Sequence, residues 1–183
     1  MKPSLVIIGL GNVGKAYADT RHNVGFLALD ALQKHLGTVA WSEKQKFLAQ
    51  VGEAEFEGSP VLLVKPTTYM NLSGQCVRKL VDFYKLQPST QLLVCCDDID
   101  LPLGTHRFRV SGGPGTHNGL KSIVEAVGEG FPRLRIGLGR QPEGADLASW
   151  VLSRLPASDV HAMQPCFDAL PTCMHDLLAA QSA

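Results

Sequence analysis

The chain has 183 residues, 45% of them hydrophobic and 19% charged, with 17 basic residues against 17 acidic ones. A chain of that length buries a full core without disulfides or structural metals, and its neutral balance excludes a uniformly basic nucleic-acid binder. No apolar run approaches the ~20 residues needed to span a bilayer, and Met1-Lys2-Pro3-Ser4 carries no apolar signal region, so a soluble cytoplasmic protein with one domain over residues 1–183 is expected. Five cysteines, Cys76, Cys95, Cys96, Cys166 and Cys173, form no C-x-x-C pair and suit reduced, buried thiols.

The run Leu5-Val6-Ile7-Ile8 reads as a buried strand, and Gly9, Gly11 and Gly14 then match a dinucleotide-binding glycine pattern. That pattern needs a helix directly after the glycines, with its N-terminus facing the pyrophosphate. Here the chain runs on through Tyr17, Thr20, Arg21 and His22, and an apolar helical period begins only at Phe26, Leu29, Leu32 and Leu36. Asn23 is therefore expected to cap a helix over Val24–Leu36, with Asn12 to Asn23 as a site loop. On this segment alone, a glycine turn bearing a stray histidine fits as well.

Further strands are expected at Phe47–Val51, Val61–Val64, Gln91–Cys96, Thr105–Val110 and Leu134–Leu138, and helices at Leu72–Lys85, Gly119–Val127 and Leu147–Ser153. The last amphipathic stretch holds Pro165 and Pro171 and should be kinked or split. Helix-linked and hairpin-like connections together predict an α/β fold, a twisted mixed sheet flanked by helices.

Polar residues gather where strands end. Asn71, after Val61–Val64, is read either as a helix cap or as an amide donor, with the aromatic Tyr69 beside it. Asp97, Asp98 and Asp100 follow the run Leu92-Leu93-Val94; they could ligate Mg²⁺, but one carboxylate orienting a histidine is the more economical use. The glycine-rich Ser111–Gly115 leads to His117 or Asn118 as the start of a helix whose N-terminus favours negative charge. Charge is unevenly spread: Gly104 to Arg140 holds six basic residues against Glu125 and Glu129, and Arg107 and Arg109 should project from one strand face. That is a phosphate-facing patch or an ordinary solvated sheet face.

Five segments in this order resemble the bacterial-type peptidyl-tRNA hydrolases: Gly9-Leu10-Gly11-Asn12 with Thr20-Arg21-His22-Asn23, Lys65-Pro66-Thr67-Thr68-Tyr69-Met70-Asn71-Leu72-Ser73-Gly74, Asp97-Asp98-Ile99-Asp100-Leu101-Pro102, Gly115-Thr116-His117-Asn118-Gly119-Leu120-Lys121, and Phe131-Pro132-Arg133-Leu134-Arg135-Ile136-Gly137-Leu138-Gly139. The resemblance implies a monomeric hydrolase that cuts the ester between a peptide and the 3′ ribose of tRNA, without a metal or other cofactor. It makes His22 the general base and Asp97 its supporting carboxylate. Asn12, Asn71 and Asn118 become substrate-binding amides, with Asn71 donating to the oxyanion. Tyr17 and Tyr69 fall at aromatic positions near the tRNA 3′ end, and Arg109 and Arg135 at positions that hold tRNA phosphate. The chain departs from the family pattern at Val13, where proline is common, at Pro114 and Thr116 within the glycine run, and after Arg140, where a basic residue is absent. A nucleotide-dependent oxidoreductase and a catalytically inactive RNA-binding relative are the rival classes.

Overall fold

The computed structural model describes residues 1–37 and 39–181. Strands β1 (Leu5–Gly9), β2 (Ser42–Lys44), β3 (Ala49–Phe56), β4 (Ser59–Pro66), β5 (Leu92–Asp98), β6 (His106–Arg109) and β7 (Arg133–Gly137) form one seven-stranded sheet in the order β2-β3-β4-β1-β5-β7-β6. The inner strands β4, β1, β5 and β7 run parallel; β2, β3 and β6 add antiparallel edges. The mixed sheet is the expected one.

Alternation along the inner strands divides the core in two. Leu5, Ile7, Leu63, Leu93 and Cys95 meet helix α1 (Val24–His35) on one face of the sheet. Val6, Ile8, Leu62, Val64 and Val94 meet helix α2 (Ser73–Tyr84) on the other. Both faces of β1 are therefore apolar, which is why its sequence is a continuous hydrophobic run. From β1 the chain departs toward β4 on one side, and from β4 it returns by α2 and the short α3 (Pro88–Gln91) to β5 on the other. Connections leaving in opposite directions open a crevice at the carboxyl ends of these strands.

The glycines after β1 serve packing. A Cβ on Gly9 would sit 2.3 Å from the carbonyl oxygen of Gly25, and one on Gly25 would sit 2.4 Å from the nitrogen of Leu10. The missing side chains let the start of α1 press against the end of β1. Asp30, the one acid that a ribose-binding reading would need early in the chain, lies on α1 and pairs with Lys65. The dinucleotide reading loses its physical basis.

Several boundaries differ from expectation. Phe47 lies in a 3₁₀ turn (Gln45–Phe47), and Leu48 adopts a left-handed conformation (φ 54°), so β3 starts at Ala49 and runs to Phe56. The short edge strand β2 is too polar to show an apolar alternation and was not anticipated. Helix α4 (Asn118–Val127) begins at Asn118, one of the two starts expected after the glycine-rich loop and one residue before the expected Gly119–Val127 span, because His117 is its cap. Helix α5 (Leu147–Val151) is shorter than predicted. The C-terminal stretch divides as its prolines require, into α6 (Ala157–Ala162), α7 (Gln164–Asp168) with Pro165 in its first turn, and α8 (Leu170–Gln181), where Pro171 again follows the start. No helix among the described residues is long and apolar enough to cross a membrane.

Candidate active site

Four segments converge on the crevice: the loop after β1, the turn after β4, the end of β5, and the loop entering α4. They line a cleft of about 740 Å³, to which α5 adds an outer wall. Asn12, His22, Asn71, Asp97, Asn118 and Arg135 all border it. Tyr17 and Tyr69 lie outside that lining and contact each other edge to face, with ring centroids 6.4 Å apart and Tyr69 exposed.

Asp97 is the buried centre. Its Oδ1 receives Nδ1 of His22 at 2.8 Å and Nε2 of His117 at 2.9 Å. The two imidazoles face each other, with centroids 4.9 Å apart. The tautomer of His117 follows from its other nitrogen. Nδ1 accepts from the backbone N–H groups of Gly119 and Leu120, so the proton must sit on Nε2 and point at Asp97. One side chain thus caps α4 and fixes the carboxylate. His22 donates its Nδ1–H to the Asp97 carboxylate, which leaves Nε2 as the basic nitrogen of a ring that borders the cleft.

The electrostatics agree. Burial alone would raise the Asp97 carboxyl, but the His117 and His22 imidazoles and their hydrogen bonds hold it far below the usual carboxylate range. Burial pulls His22 down, yet the adjacent Asp97 charge and hydrogen bond outweigh it, and the imidazole is raised above its ordinary 6.5. No cysteine competes as a nucleophile: all five thiols are free and buried, and burial pushes Cys166 and Cys173 up to about 11. The ligand atoms of His22, Asp97 and His117 lie within 4.8 Å of one another, a grouping that could also hold a metal ion.

The asparagines divide by orientation. Asn23, buried to 1% exposure, does occupy the cap position of α1, but its side chain makes no cap hydrogen bond. Its Oδ1 accepts from the Asn12 N–H at 2.8 Å and its Nδ2 donates to the Asn12 carbonyl at 2.9 Å. The Asn12 carboxamide is fixed in turn, because Oδ1 accepts the Met70 N–H at 2.7 Å. What Asn12 can still offer a substrate is its Nδ2 donor pair. Asn71 and Asn118 are exposed along the cleft, and neither caps a helix with its side chain.

The basic patch is only partly presented. Arg133 is fully buried, its guanidinium held by the carbonyls of Phe131, Gly112 and Glu129, so it braces the loop and faces no solvent. Arg135 pairs with Asp98 at 3.3 Å and donates to the Gly113 carbonyl at 3.0 Å. Arg107 and Arg109 are exposed on β6, as the alternation with Phe108 predicts. With Arg133 and Arg135 they line a hollow of about 180 Å³ next to the main cleft. Sequence reasoning missed His117 as a second partner of Asp97, and it missed Asn23 as the clamp on Asn12. The signal for the first was a histidine one residue before a helix, where a side-chain acceptor is needed.

Together the fold and the site define an α/β protein with a buried carboxylate–imidazole pair in an asparagine-lined cleft. The peptidyl-tRNA hydrolase family profile matches residues 6–183, and the chain belongs to that family. The peptidyl-tRNA hydrolase of Alkaliphilus oremlandii is 48% identical over 159 residues, 86% of this chain and 84% of that protein. The peptidyl-tRNA hydrolase of Fusobacterium nucleatum is 39% identical over 177 residues, 97% of this chain and 91% of its own length. A crystal structure of peptidyl-tRNA hydrolase from Acinetobacter baumannii superposes with a TM-score of 0.89 at 36% identity, covering 100% of this chain and 92% of that one.

Proposed function

We propose that this chain hydrolyses the ester joining a peptide to the 3′ ribose of tRNA, with His22 as general base. The observation that carries the reading is the His22–Asp97 hydrogen bond, which leaves Nε2 of a raised imidazole beside the cleft. Nε2 takes a proton from water as the water oxygen bonds to the ester carbonyl carbon. The oxyanion that forms is met by side-chain N–H donors, for which Asn71 and the fixed Nδ2 of Asn12 are the groups available. The ester C–O bond then breaks, the imidazolium returns its proton to the departing ribose oxygen, and free tRNA and a peptide carboxylic acid result, the acid losing its proton to solvent. Asp97 stabilises the transient imidazolium, as in other acyl-transfer centres.

Asn12 offers only donors, so it suits a carbonyl; Asn118, exposed along the cleft, suits a peptide N–H. Peptidyl-tRNA carries a neutral amide where aminoacyl-tRNA carries a free amine, and a site built to pair with the amide disfavours the amine. The purified chain is expected to release N-acetyl-amino acid from tRNA at least about 10²-fold faster than free amino acid. The rate should be unchanged by EDTA. Equal rates on the two substrates would refute the asparagine roles, and loss with chelator would make the His22, Asp97 and His117 grouping a metal centre. We further infer that the chain acts as a monomer in the cytoplasm, where its substrate arises and its five thiols stay reduced.

Arg109 and Arg135 hold tRNA phosphate in this reading, with Tyr17 and Tyr69 near the acceptor end. Arg109, with no acidic partner among the described residues, carries the larger share. Arg109→Ala should weaken tRNA binding most at low salt and flatten the dependence of log affinity on log salt by about one unit of slope. Fluorescence titration at several salt concentrations reads this; an unchanged slope would remove Arg109 from the interface.

A further inference from the structure

The outer wall of the cleft is weakly built. No residue from Gly139 to Arg154 is buried, yet Asp146, Leu147, Ala148, Val151 and Leu152 from this segment line the site. Helix α5 contributes no buried side chain to the core, although Val151 packs partly against it. The Trp150 indole N–H is buried without a hydrogen-bond partner among the described residues.

What fastens the wall is Arg21, the residue directly before His22. Its guanidinium carbon lies 4.0 Å from the Trp150 ring centroid. Nε donates to Ser153 Oγ at 3.2 Å and Nη1 to Asp159 Oδ2 at 2.9 Å. The Ser153 hydroxyl in turn donates to the Trp150 carbonyl. The backbone continues the connection, with Arg21 N–H to the Ser153 carbonyl at 3.0 Å, Leu155 N–H to the Asp19 carbonyl at 2.8 Å, and an antiparallel bridge between Thr20 and Arg154. Arg21 is only 7% exposed, so a planar fork and a flat stacking face are both in use, and lysine reproduces neither.

We propose that Arg21 is a positioning residue that fastens the α5 wall to the loop carrying His22, so that substrate capture depends on it. The assignment of a substrate to this cleft rests on the function proposed above. Because the Arg21 side chain bonds to Ser153 and Asp159 and lies over Trp150, its loss leaves the His22–Asp97 hydrogen bond intact and frees the wall. Such a change raises KM more than it lowers kcat.

The test compares Arg21→Gln, Arg21→Lys and Trp150→Leu with the unaltered chain, by steady-state hydrolysis of N-acetyl-aminoacyl-tRNA and by hydrogen exchange without substrate. Arg21→Gln and Trp150→Leu should raise KM about tenfold with kcat within about threefold, and Arg21→Lys should restore only part of the loss. Exchange should accelerate at the amides of residues 148–155 and stay unchanged in β1 and β5. A KM within about twofold of the unaltered chain in both variants would overturn the proposal. So would full rescue by Arg21→Lys, or exchange accelerated across the whole chain. If the unaltered chain cleaves no ester, the function fails instead, and the exchange comparison still decides whether Arg21 holds the wall.

Discussion

His22→Asn is expected to lower kcat on N-acetyl-aminoacyl-tRNA by between about 10²- and 10⁴-fold with KM little changed, the loss typical of removing a positioned general base. Asparagine keeps a polar side chain of similar reach beside Asp97 but holds no basic nitrogen toward the cleft. His22 is half-buried between Asp97 and the cleft and contributes nothing to either core cluster, so folding should survive. Single-turnover hydrolysis with saturating enzyme separates this effect from binding. A kcat within about threefold of the unaltered chain would remove His22 from the chemistry.

The second large effect belongs to Asp97→Asn, with an expected loss of about 10²- to 10⁴-fold in kcat. The carboxamide can donate to His22 Nδ1 and so favour the wrong tautomer, and it no longer stabilises the imidazolium. The pH dependence carries a sign of its own. In the proposed mechanism the base form of His22 is the active one, so activity should fall on the acid side as the ring protonates. Asp97 holds that ionisation above 6.5, and without its charge burial alone acts on the ring and lowers it. The acid limb of the kcat profile should therefore move to lower pH in Asp97→Asn even as the maximum drops. Stability should respond as well. The depressed Asp97 ionisation contributes stability that is fully present above the ordinary carboxyl value of 3.8 and is lost as pH falls toward the folded-state value. Asp97→Asn should lose this acid sensitivity, which thermal melts between about pH 2 and 6 would show.

The parts of this molecule that were legible in the sequence are those where one residue has one local reason. Leu5–Ile8 reads as a doubly buried strand because both of its faces are apolar. Pro165 and Pro171 announce the split of the last helix. Asn12, His22, Asn71, Asp97 and Asn118 stand at strand ends and helix starts, where open α/β sheets place their sites, and the fold brings all five to one cleft. What stayed hidden depends on contacts far apart in the chain. His117 looks like a helix start, and only the approach of β5 shows that its Nε2 reaches Asp97 across 20 positions. Asn23 occupies a cap position, yet its carboxamide is taken by the Asn12 backbone 11 residues earlier. Arg21 meets Asp159 from 138 positions away, a pairing that no periodicity encodes. Arg133 counted as surface charge until the fold placed it beneath the Gly112 loop.

In the proposed mechanism one imidazole, raised by a buried carboxylate, sets the rate. The decisive measurement follows the His22 ring through a pH titration by NMR, assigned with His22→Asn, and compares its midpoint with the acid limb of kcat. The two should coincide, above 6.5 in the unaltered chain and lower together in Asp97→Asn. A His22 ring that titrates below 6.5 in the unaltered chain, or an acid limb that ignores its midpoint, would contradict this mechanism.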